Sequence, residues 1–153
     1  MKTYIVDGSC KKYVLGAGVV EIDSQDFVEV HSFRIMHLGA TSFLAEVYAL
    51  ECAVNLIRES NIHDKKIVIY TDNKEVYNLF KGGAKKGISN YNYICTIEKQ
   101  LKLLSKLANL QIKLVDKKME KMGAIAHELS RVYFDDPLIG KLLNKTSIDL
   151  PLV

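Results

Sequence analysis

The spacing of apolar and polar positions marks the first quarter of the chain as β-structure. Residues 3–6 are β-branched or aromatic and run into an Asp-Gly-Ser turn signal that begins at Asp7. A second β-rich run covers 13–22, and apolar side chains occupy mostly alternating positions over 27–35. Such runs, separated by turn residues, predict a hairpin followed by a strand with one solvent-facing side. We therefore expect three antiparallel strands, the first of which ends at Asp7.

Further along the chain the apolar positions follow the helical period. Turn and N-cap residues at 39–42 precede apolar side chains that recur every three or four positions, which predicts a helix ending near residue 60. A short apolar run at 66–71 predicts a buried central strand. The remaining predicted elements are helices at 74–81, 93–107 and 121–134, a strand at 110–115, and a short terminal helix with Asp136 as its cap and Pro137 as its first residue. This order favours an α/β fold in which helices cross between the strands of one mixed sheet.

Length and composition indicate one globular domain. The chain has 153 residues, of which 48% are hydrophobic and 25% charged, as is ordinary for a folded domain and unlike a disordered chain. We assign residues 1–136 to the domain and 137–153 to a C-terminal short helix and tail. The tail is apolar enough to pack on the domain or on a partner, and both possibilities stay open.

Charge and cysteine content narrow the class of protein. The net charge is +3 and the pI is near 8.6, which is milder than the basic footprint of a dedicated nucleic-acid-binding domain. The three cysteines form no Cys-x-x-Cys pair, so neither a disulfide framework nor a cysteine-based zinc site is indicated. No secretory signal is visible at the amino terminus, and no apolar stretch approaches the ~18 residues of a membrane span. We expect a cytoplasmic protein with no membrane partner.

Three acidic residues stand beside apolar segments. Asp7 and Asp72 each follow a strand that should be buried, so both carboxylates are expected at strand ends. Glu46 falls within the helix face that packs on the sheet, where a carboxylate must be paired, protonated or bound to a metal. Each residue also has an ordinary structural explanation: a turn for Asp7, a helix cap for Asp72, and an edge position reaching solvent for Glu46.

As a set, these acids favour a metal site. Clustered carboxylates repel one another unless a cation lies among them, and ligands that are all oxygen select Mg²⁺ or Mn²⁺. Two such ions, about 3.5–4 Å apart, activate a water and stabilise the leaving oxygen in phosphodiester cleavage. We therefore predict that Asp7, Glu46 and Asp72 bind two divalent ions in a nuclease.

The three acids lie in segments that resemble the motifs of one family. Residues 4–10 resemble the first strand and leading catalytic aspartate of the type 1 ribonucleases H, in the ribonuclease H-like superfamily. Residues 41–50 resemble the family's helix with the catalytic glutamate, and 70–73 its strand with the second aspartate. The resemblance covers about residues 1–134. It implies a five-stranded sheet ordered 3-2-1-4-5, with Asp7 on the central strand, and hydrolysis of the RNA strand of RNA–DNA hybrids.

One position departs from the family's metal site. The family's fourth acid lies early in the last helix, and the matching stretch 126–130 has His127 in its place. The predicted apolar stripe of this helix consists of Met122, Ile125, Leu129 and Val132, and His127 points away from it. Because imidazole can ligate Mn²⁺ or Mg²⁺ less readily than a carboxylate, we predict that His127 completes the second metal site with a preference for Mn²⁺. The alternatives are an idle surface histidine, or a substitute acid at Glu128, Asp135 or Asp136.

The expected substrate contacts match the family less closely. They are Gly8, Ser9, Thr41, Ser42, Asn73, Lys85 and Lys86. The family commonly has asparagines before the helix glutamate, but this chain has Ser42 and Phe43 there. A serine can still hydrogen-bond a 2′-hydroxyl and phenylalanine cannot, so we expect weaker discrimination between RNA and DNA. The glycine-rich basic loop that holds Lys85 and Lys86 has few lysines, which predicts weak binding of the hybrid.

The sequence thus favours a ribonuclease H fold and a monomeric, metal-dependent endonuclease that acts on RNA–DNA hybrids. The resemblance implies in-line attack by water, which leaves 3′-hydroxyl and 5′-phosphate ends. Two alternatives stay open. The same fold and metals could cut another structure, such as a DNA junction, or the exchange at His127 could leave a nucleic-acid-binding module without catalysis.

Overall fold

A mixed five-stranded sheet forms the centre of the molecule. The computed structural model describes residues 1–62, 65–82 and 90–135. The strands are β1 (Lys2–Lys11), β2 (Val14–Ile22), β3 (Val28–Met36), β4 (Lys66–Thr71) and β5 (Asn109–Leu114). Their order is β3-β2-β1-β4-β5, with β1 antiparallel to β2, β2 antiparallel to β3, and β1, β4 and β5 parallel. The α/β class and the strand order expected from the sequence are confirmed.

Helices lie on both faces of this sheet. The described helices are α1 (Ser42–Glu59), α2 (Lys74–Phe80), α3 (Tyr91–Leu107) and α4 (Glu120–Arg131), with 3-10 turns at Lys117–Met119 and Val132–Asp135. The predicted helices before residue 136 are therefore present, with ends shifted by a few residues. The predicted terminal helix from Asp136 and the tail to residue 153 lie outside the described residues, and the boundary after 136 stays a prediction. Within the described ranges, no helix combines the length and apolar character needed to cross a bilayer.

Strand β1 is longer than its sequence suggests, which moves Asp7 from a strand end to the middle of a strand. Antiparallel pairing with β2 continues to Lys11, and the hairpin turns at Lys12, whose φ of 52° is left-handed. The prediction that the first strand ends at Asp7 is wrong, because hydrogen bonds to β2 outweigh the local turn preference of Asp-Gly. The parallel ladder to β4 stops earlier, at Val6 opposite Thr71. Asp7 is thus the first residue of β1 beyond the end of β4.

The main hydrophobic core lies between α1 and one face of the sheet. Thr41, within the segment 39–42 that the sequence predicts to hold the N-cap, is the N-cap of α1 and accepts a hydrogen bond from the Leu44 amide at 3.1 Å. The apolar face of α1 is buried against β1 and β2. Gly8 permits a close approach, because a Cβ at this position would collide with the Ala45 carbonyl. The start of α1, and Glu46 with it, therefore lies directly against β1.

Helix α4 covers the opposite face of the sheet through its smallest residues. Ala126 and Ser130 are buried, whereas Ile125 is 40% and Val132 is 52% exposed. A Cβ at Gly18 of β2 would collide with the Ala126 carbonyl, so the backbone of α4 lies almost on the strand. The predicted apolar stripe is therefore wrong for Ile125 and Val132, while its other two members are partly buried. The helix is rotated because a backbone-to-backbone contact displaces its larger side chains from the interface.

Candidate metal centre

The Asp7 carboxylate is held by contacts on both of its oxygens. Asp7 is only 5% exposed. Its Oδ1 accepts a hydrogen bond from the Gly8 amide at 2.9 Å, and its Oδ2 lies 2.9 Å from Nδ1 of His127. Because β4 ends beside Val6, the carboxylate faces an edge where other elements can approach it. These contacts orient Asp7 before any ligand binds.

Glu46, near the start of α1, has one oxygen that lacks a hydrogen-bond partner. Its Oε1 lies 3.4 Å from the Gly8 amide, which donates to it. Its Oε2 is buried without a hydrogen-bond partner among the described residues. Burial raises the pKa of Glu46 well above its ordinary value, and the neighbouring carboxylates of Asp7 and Asp72 raise it further. A buried carboxylate beside two like charges fits a cation ligand.

Asp72 follows β4 directly and is the most exposed of the three acids. Burial, and then the charge of Asp7, raise the pKa of Asp72, while His127 opposes that shift. The next residue, Asn73, is the N-cap of α2, since its side-chain oxygen accepts a hydrogen bond from the Val76 amide at 2.9 Å. The helix cap is therefore Asn73, and the Asp72 carboxylate is left for the site.

The three acids meet at one point. One carboxylate oxygen from each of Asp7, Glu46 and Asp72 lies within 4.8 Å of the other two. The structure therefore brings together the acids that the sequence singled out. The three carboxylates offer only oxygen ligands, and Oε2 of Glu46 has no hydrogen-bond partner among the described residues. Such a set matches the preference of hard divalent cations for oxygen. The residues fit Mg²⁺ or Mn²⁺.

His127 approaches the acids from α4. Its side chain is half exposed, and its Nδ1 contacts Asp7. The Ser130 hydroxyl donates to the His127 carbonyl at 2.6 Å, and the hydroxyls of Ser9 and Ser130 are 2.6 Å apart. These bonds tie α4 to β1 one turn from His127. His127 is thus a neighbour of Asp7 outside the group of three acids, and metal ligation by it stays a prediction.

Two of the expected substrate contacts, Gly8 and Ser9, are used inside the protein. Gly8 packs under α1, and Ser9 is 8% exposed with its hydroxyl against Ser130. Sequence reasoning did not single out Ser130. Its spacing of three residues after His127 places it one helical turn away, but Ser9 is 121 residues distant and the pair arises only through packing.

The other expected substrate contacts differ in their surroundings. Thr41 and Ser42 are exposed at the start of α1, near Glu46. Asn73 uses its side-chain oxygen as the cap of α2. Lys85 and Lys86 lie outside the described residues. Substrate contact by any of these residues stays a prediction.

Comparison with protein families places most of the chain in one of them. Residues 5–131 match a family described as reverse transcriptase-like. No curated protein matches the sequence significantly.

Solved structures of ribonucleases H1 have the same fold. One of them is LC11 ribonuclease H1, which was isolated from compost by a metagenomic approach. Its structure in complex with an RNA/DNA hybrid has a TM-score of 0.74 and 19% identity, covering 90% of this chain and 99% of its own. Ribonuclease H1 from the halophilic archaeon Halobacterium salinarum NRC-1 has a TM-score of 0.68 and 17% identity, covering 88% of this chain and 98% of its own. The N-terminal ribonuclease H domain of a Mycobacterium tuberculosis protein has a TM-score of 0.64 and 16% identity, covering 86% and 96%.

Proposed function

Because the chain belongs to the reverse transcriptase-like family, we propose that it is a divalent-metal-dependent endonuclease that hydrolyses the RNA strand of RNA–DNA hybrids. The fold is that of the type 1 ribonucleases H, as the sequence resemblance implied. The observation that carries the proposal is the meeting of Asp7, Glu46 and Asp72 at one point beside the end of β4. The complex of LC11 ribonuclease H1 with an RNA/DNA hybrid supports the hybrid as substrate.

In this proposal Asp7, Glu46 and Asp72 hold two divalent ions, Mg²⁺ or Mn²⁺. Bound there, the ions supply an activated water and stabilise negative charge on the phosphate. The chain supplies orientation, because Asp7 is fixed by the Gly8 amide and by His127. Burial of Glu46 lowers the dielectric around its carboxylate and strengthens its attraction for a cation.

His127 is proposed to ligate the second ion through Nε2, the ring nitrogen that does not contact Asp7. When Nδ1 carries the proton, it donates to Asp7 Oδ2 and leaves the Nε2 lone pair free. A ligating histidine commonly has its second nitrogen bonded to a carboxylate in this way. Since imidazole is a softer and uncharged donor, the proposal includes the preference for Mn²⁺ over Mg²⁺.

The substrate is proposed to lie across the start of α1. Thr41 and Ser42 are exposed there, next to the helix turn that holds Glu46. A serine hydroxyl can donate to or accept from a ribose 2′-hydroxyl, which gives a route to distinguishing RNA from DNA. Lys85 and Lys86 are proposed to contribute phosphate contacts.

Cleavage of labelled substrates tests this function. We expect the full chain to cut an RNA–DNA hybrid in preference to RNA duplex, DNA duplex, a DNA junction and single strands, at low salt in Mg²⁺ or Mn²⁺, leaving 5′-phosphate ends. Asp72→Asn should reduce the rate by about 100-fold or more. Asp26→Asn is the matched control, because Asp26 is exposed, lies outside the site and has a φ of 62° that asparagine tolerates.

Other outcomes of this experiment contradict the proposal in distinct ways. Preferential cutting of the DNA junction that Asp72→Asn abolishes would favour a DNA nuclease of the same fold. Hybrid binding with no cutting of any substrate in either metal would favour a binding module that has lost catalysis. Equal rates for Asp72→Asn and the wild-type chain would show that the proposed metal centre takes no part in cleavage.

A further inference from the structure

A second group of side chains that could hold a metal ion lies on β2 and β3, on the face of the sheet that α1 covers. Strand pairing puts Tyr4 of β1 opposite Glu21 of β2, and Glu21 opposite Glu29 of β3. His31 comes two residues after Glu29, so its side chain lies on the same face of the sheet. Tyr4, opposite Glu21, is three positions before Asp7 on β1, which corresponds to about 10 Å along the strand.

In this group, the imidazole of His31 lies between two carboxylates. Its Nε2 is 3.6 Å from Oε2 of Glu21 and 3.8 Å from Oε2 of Glu29. Both distances exceed a normal hydrogen bond, and Nε2 is buried without a hydrogen-bond partner among the described residues. Ligand atoms from the three side chains lie within 4.8 Å of one another. A cation between atoms spaced in this way is roughly 2–2.5 Å from each, close to the bond lengths of Zn²⁺ to nitrogen and oxygen.

Tyr4 gives an independent indication of a ligand at this place. It is 0% exposed, and its hydroxyl has no hydrogen-bond partner within the described part of the chain. Glu21 lies directly opposite Tyr4 in the pairing of β1 with β2, so the two side chains are neighbours on the same face of the sheet. Buried polar atoms without partners are rare in native proteins, and a bound ion or water is one of the few explanations for them. Tyr4 and His31 both leave such atoms next to Glu21.

Glu21 is held so that one of its oxygens remains for a ligand. The side chain is nearly buried, and Lys2 Nζ lies 3.3 Å from its Oε1. The Lys2 ammonium offsets the cost of burying the Glu21 charge. The other carboxylate oxygen, Oε2, faces His31.

We propose that Glu21, Glu29 and His31 form a second metal site, which binds Zn²⁺ and joins β2 to the edge strand β3. One imidazole nitrogen with two carboxylate oxygens suits Zn²⁺ better than Mg²⁺, whereas the three acids of the first site suit hard ions. Such a link would stabilise the edge strand β3, because its residues Val28 and Val30 are 47% and 53% exposed and pack weakly. The proposal does not depend on the nuclease function.

Zinc titration of the metal-stripped full chain tests the site. With saturating Mg²⁺ present to occupy the first site, Zn²⁺ at a hundredfold excess over its Kd should raise the melting temperature by about 5 °C or more. Co²⁺ should bind one equivalent with the visible absorption of a protein-bound ion. His31→Gln should abolish both signals. Glu29→Gln, at an exposed position that does not endanger folding, should weaken binding by about tenfold or more.

Two controls separate this site from the rest of the molecule. His37→Gln removes a histidine just beyond β3 whose Nδ1 accepts the Gly39 amide, and it should keep the zinc response. Asp72→Asn should also keep it, because the first site is not involved. The proposal is overturned if zinc leaves the wild-type melting temperature unchanged, if His31→Gln and Glu29→Gln respond like the wild-type chain, or if Asp72→Asn loses the response.

Discussion

Glu46 combines burial with like-charged neighbours, and this sets the pH dependence of the metal-free fold. The raised pKa of Glu46 means that the folded state binds its proton more tightly than the unfolded chain does. The unfolding free energy of the metal-free protein should therefore decrease as the pH rises above about 4.5, the ordinary value for glutamate, and into the neutral range. The raised pKa of Asp72 acts in the same direction.

Glu46→Gln should remove this penalty, because the amide keeps the shape of the side chain without its charge. We expect the unfolding free energy of the metal-free protein at pH 7 to rise by about 1–2 kcal/mol, with a flatter dependence on pH. Urea unfolding between pH 5 and 8 measures both effects. Glu51→Gln is the control on the same helix: Glu51 accepts the Tyr93 hydroxyl at 2.9 Å, and its substitution should bring no gain. A destabilised Glu46→Gln protein would contradict the electrostatic picture of the site.

His127→Asp tests whether position 127 belongs to the metal site. Aspartate adds a hard oxygen donor and a negative charge next to Asp7, and both favour Mg²⁺. The ratio of the cleavage rate in Mg²⁺ to that in Mn²⁺ should rise by about tenfold. The exposed Glu128 points about 100° away on the same helix, so Glu128→Gln should leave the ratio unchanged. If His127→Asp leaves it unchanged as well, the histidine is a surface residue.

The three acids could be predicted from the sequence, but the polar contacts around them could not. Asp7, Glu46 and Asp72 stand out because carboxylates beside apolar segments need an explanation, which a sequence can show. The hydrogen bond between Ser9 and Ser130 joins residues 121 positions apart, and two serines carry no pattern that would pair them. Polar contacts made by packing become visible only with the fold.

The packing of α4 on β2 sets the position of His127. The helix approaches β2 at Gly16 and Gly18, where a Cβ would meet the carbonyls of Ser130 and Ala126. A side chain at either glycine would lift the helix and carry His127 away from Asp7. The same contact explains why the apolar stripe of α4 was mispredicted, since helical periodicity assumes that the larger side chains face the sheet.

Gly18→Ala should therefore destabilise the protein and weaken cleavage together. The added methyl group collides with backbone that can move only with the whole helix, so we expect a loss of about 2–3 kcal/mol. Gly123→Ala is the matched control in α4 itself: its Cβ would lie 3.6 Å from the nearest atom of Val115, and alanine should stabilise the helix by about 0.5–1 kcal/mol. Thermal or urea unfolding of both variants measures the contrast. A neutral Gly18→Ala would mean that α4 is not seated on β2 as described.

The misjudged end of β1 has a comparable cause. Asp-Gly is a strong local turn signal, but the strand is extended by its partner β2, which lies on the other side of the hairpin. Element types and approximate bounds could be predicted because periodicity is local. Strand ends and helix rotations depend on neighbouring elements that a local pattern does not contain.

For the whole molecule, the order of the strands came from the family resemblance, because periodicity predicts elements and leaves their arrangement open. The confirmed order 3-2-1-4-5 places β1 beside β4. That adjacency brings Asp7 next to Asp72, while α1 and α4 contribute Glu46 and His127 from opposite faces of the sheet. The site therefore exists only in the complete fold, and local unfolding of any one of these elements would separate its side chains.

The charge of the whole molecule bears on how strongly it would hold the proposed hybrid. With 21 basic and 18 acidic residues the net charge is only +3, so we expect few phosphate contacts, weak hybrid binding and a shallow slope of log affinity against log salt. Replacing both Lys85 and Lys86 with alanine should reduce the magnitude of that slope by about 2 and raise KM with little change in kcat. Fluorescence anisotropy of a labelled hybrid, in the Asp72→Asn background to prevent cleavage, measures the slope.

A pair of lysines on α3 provides the comparison for this loop. Lys99 and Lys106 are exposed, and their double alanine variant changes the net charge by the same amount. If the two double variants lowered the slope equally, only net charge would matter and the loop would have no particular contact with the hybrid. A larger effect at Lys85 and Lys86 would place the phosphate backbone against that loop, because counterion release counts the cations at the interface rather than those on the rest of the surface.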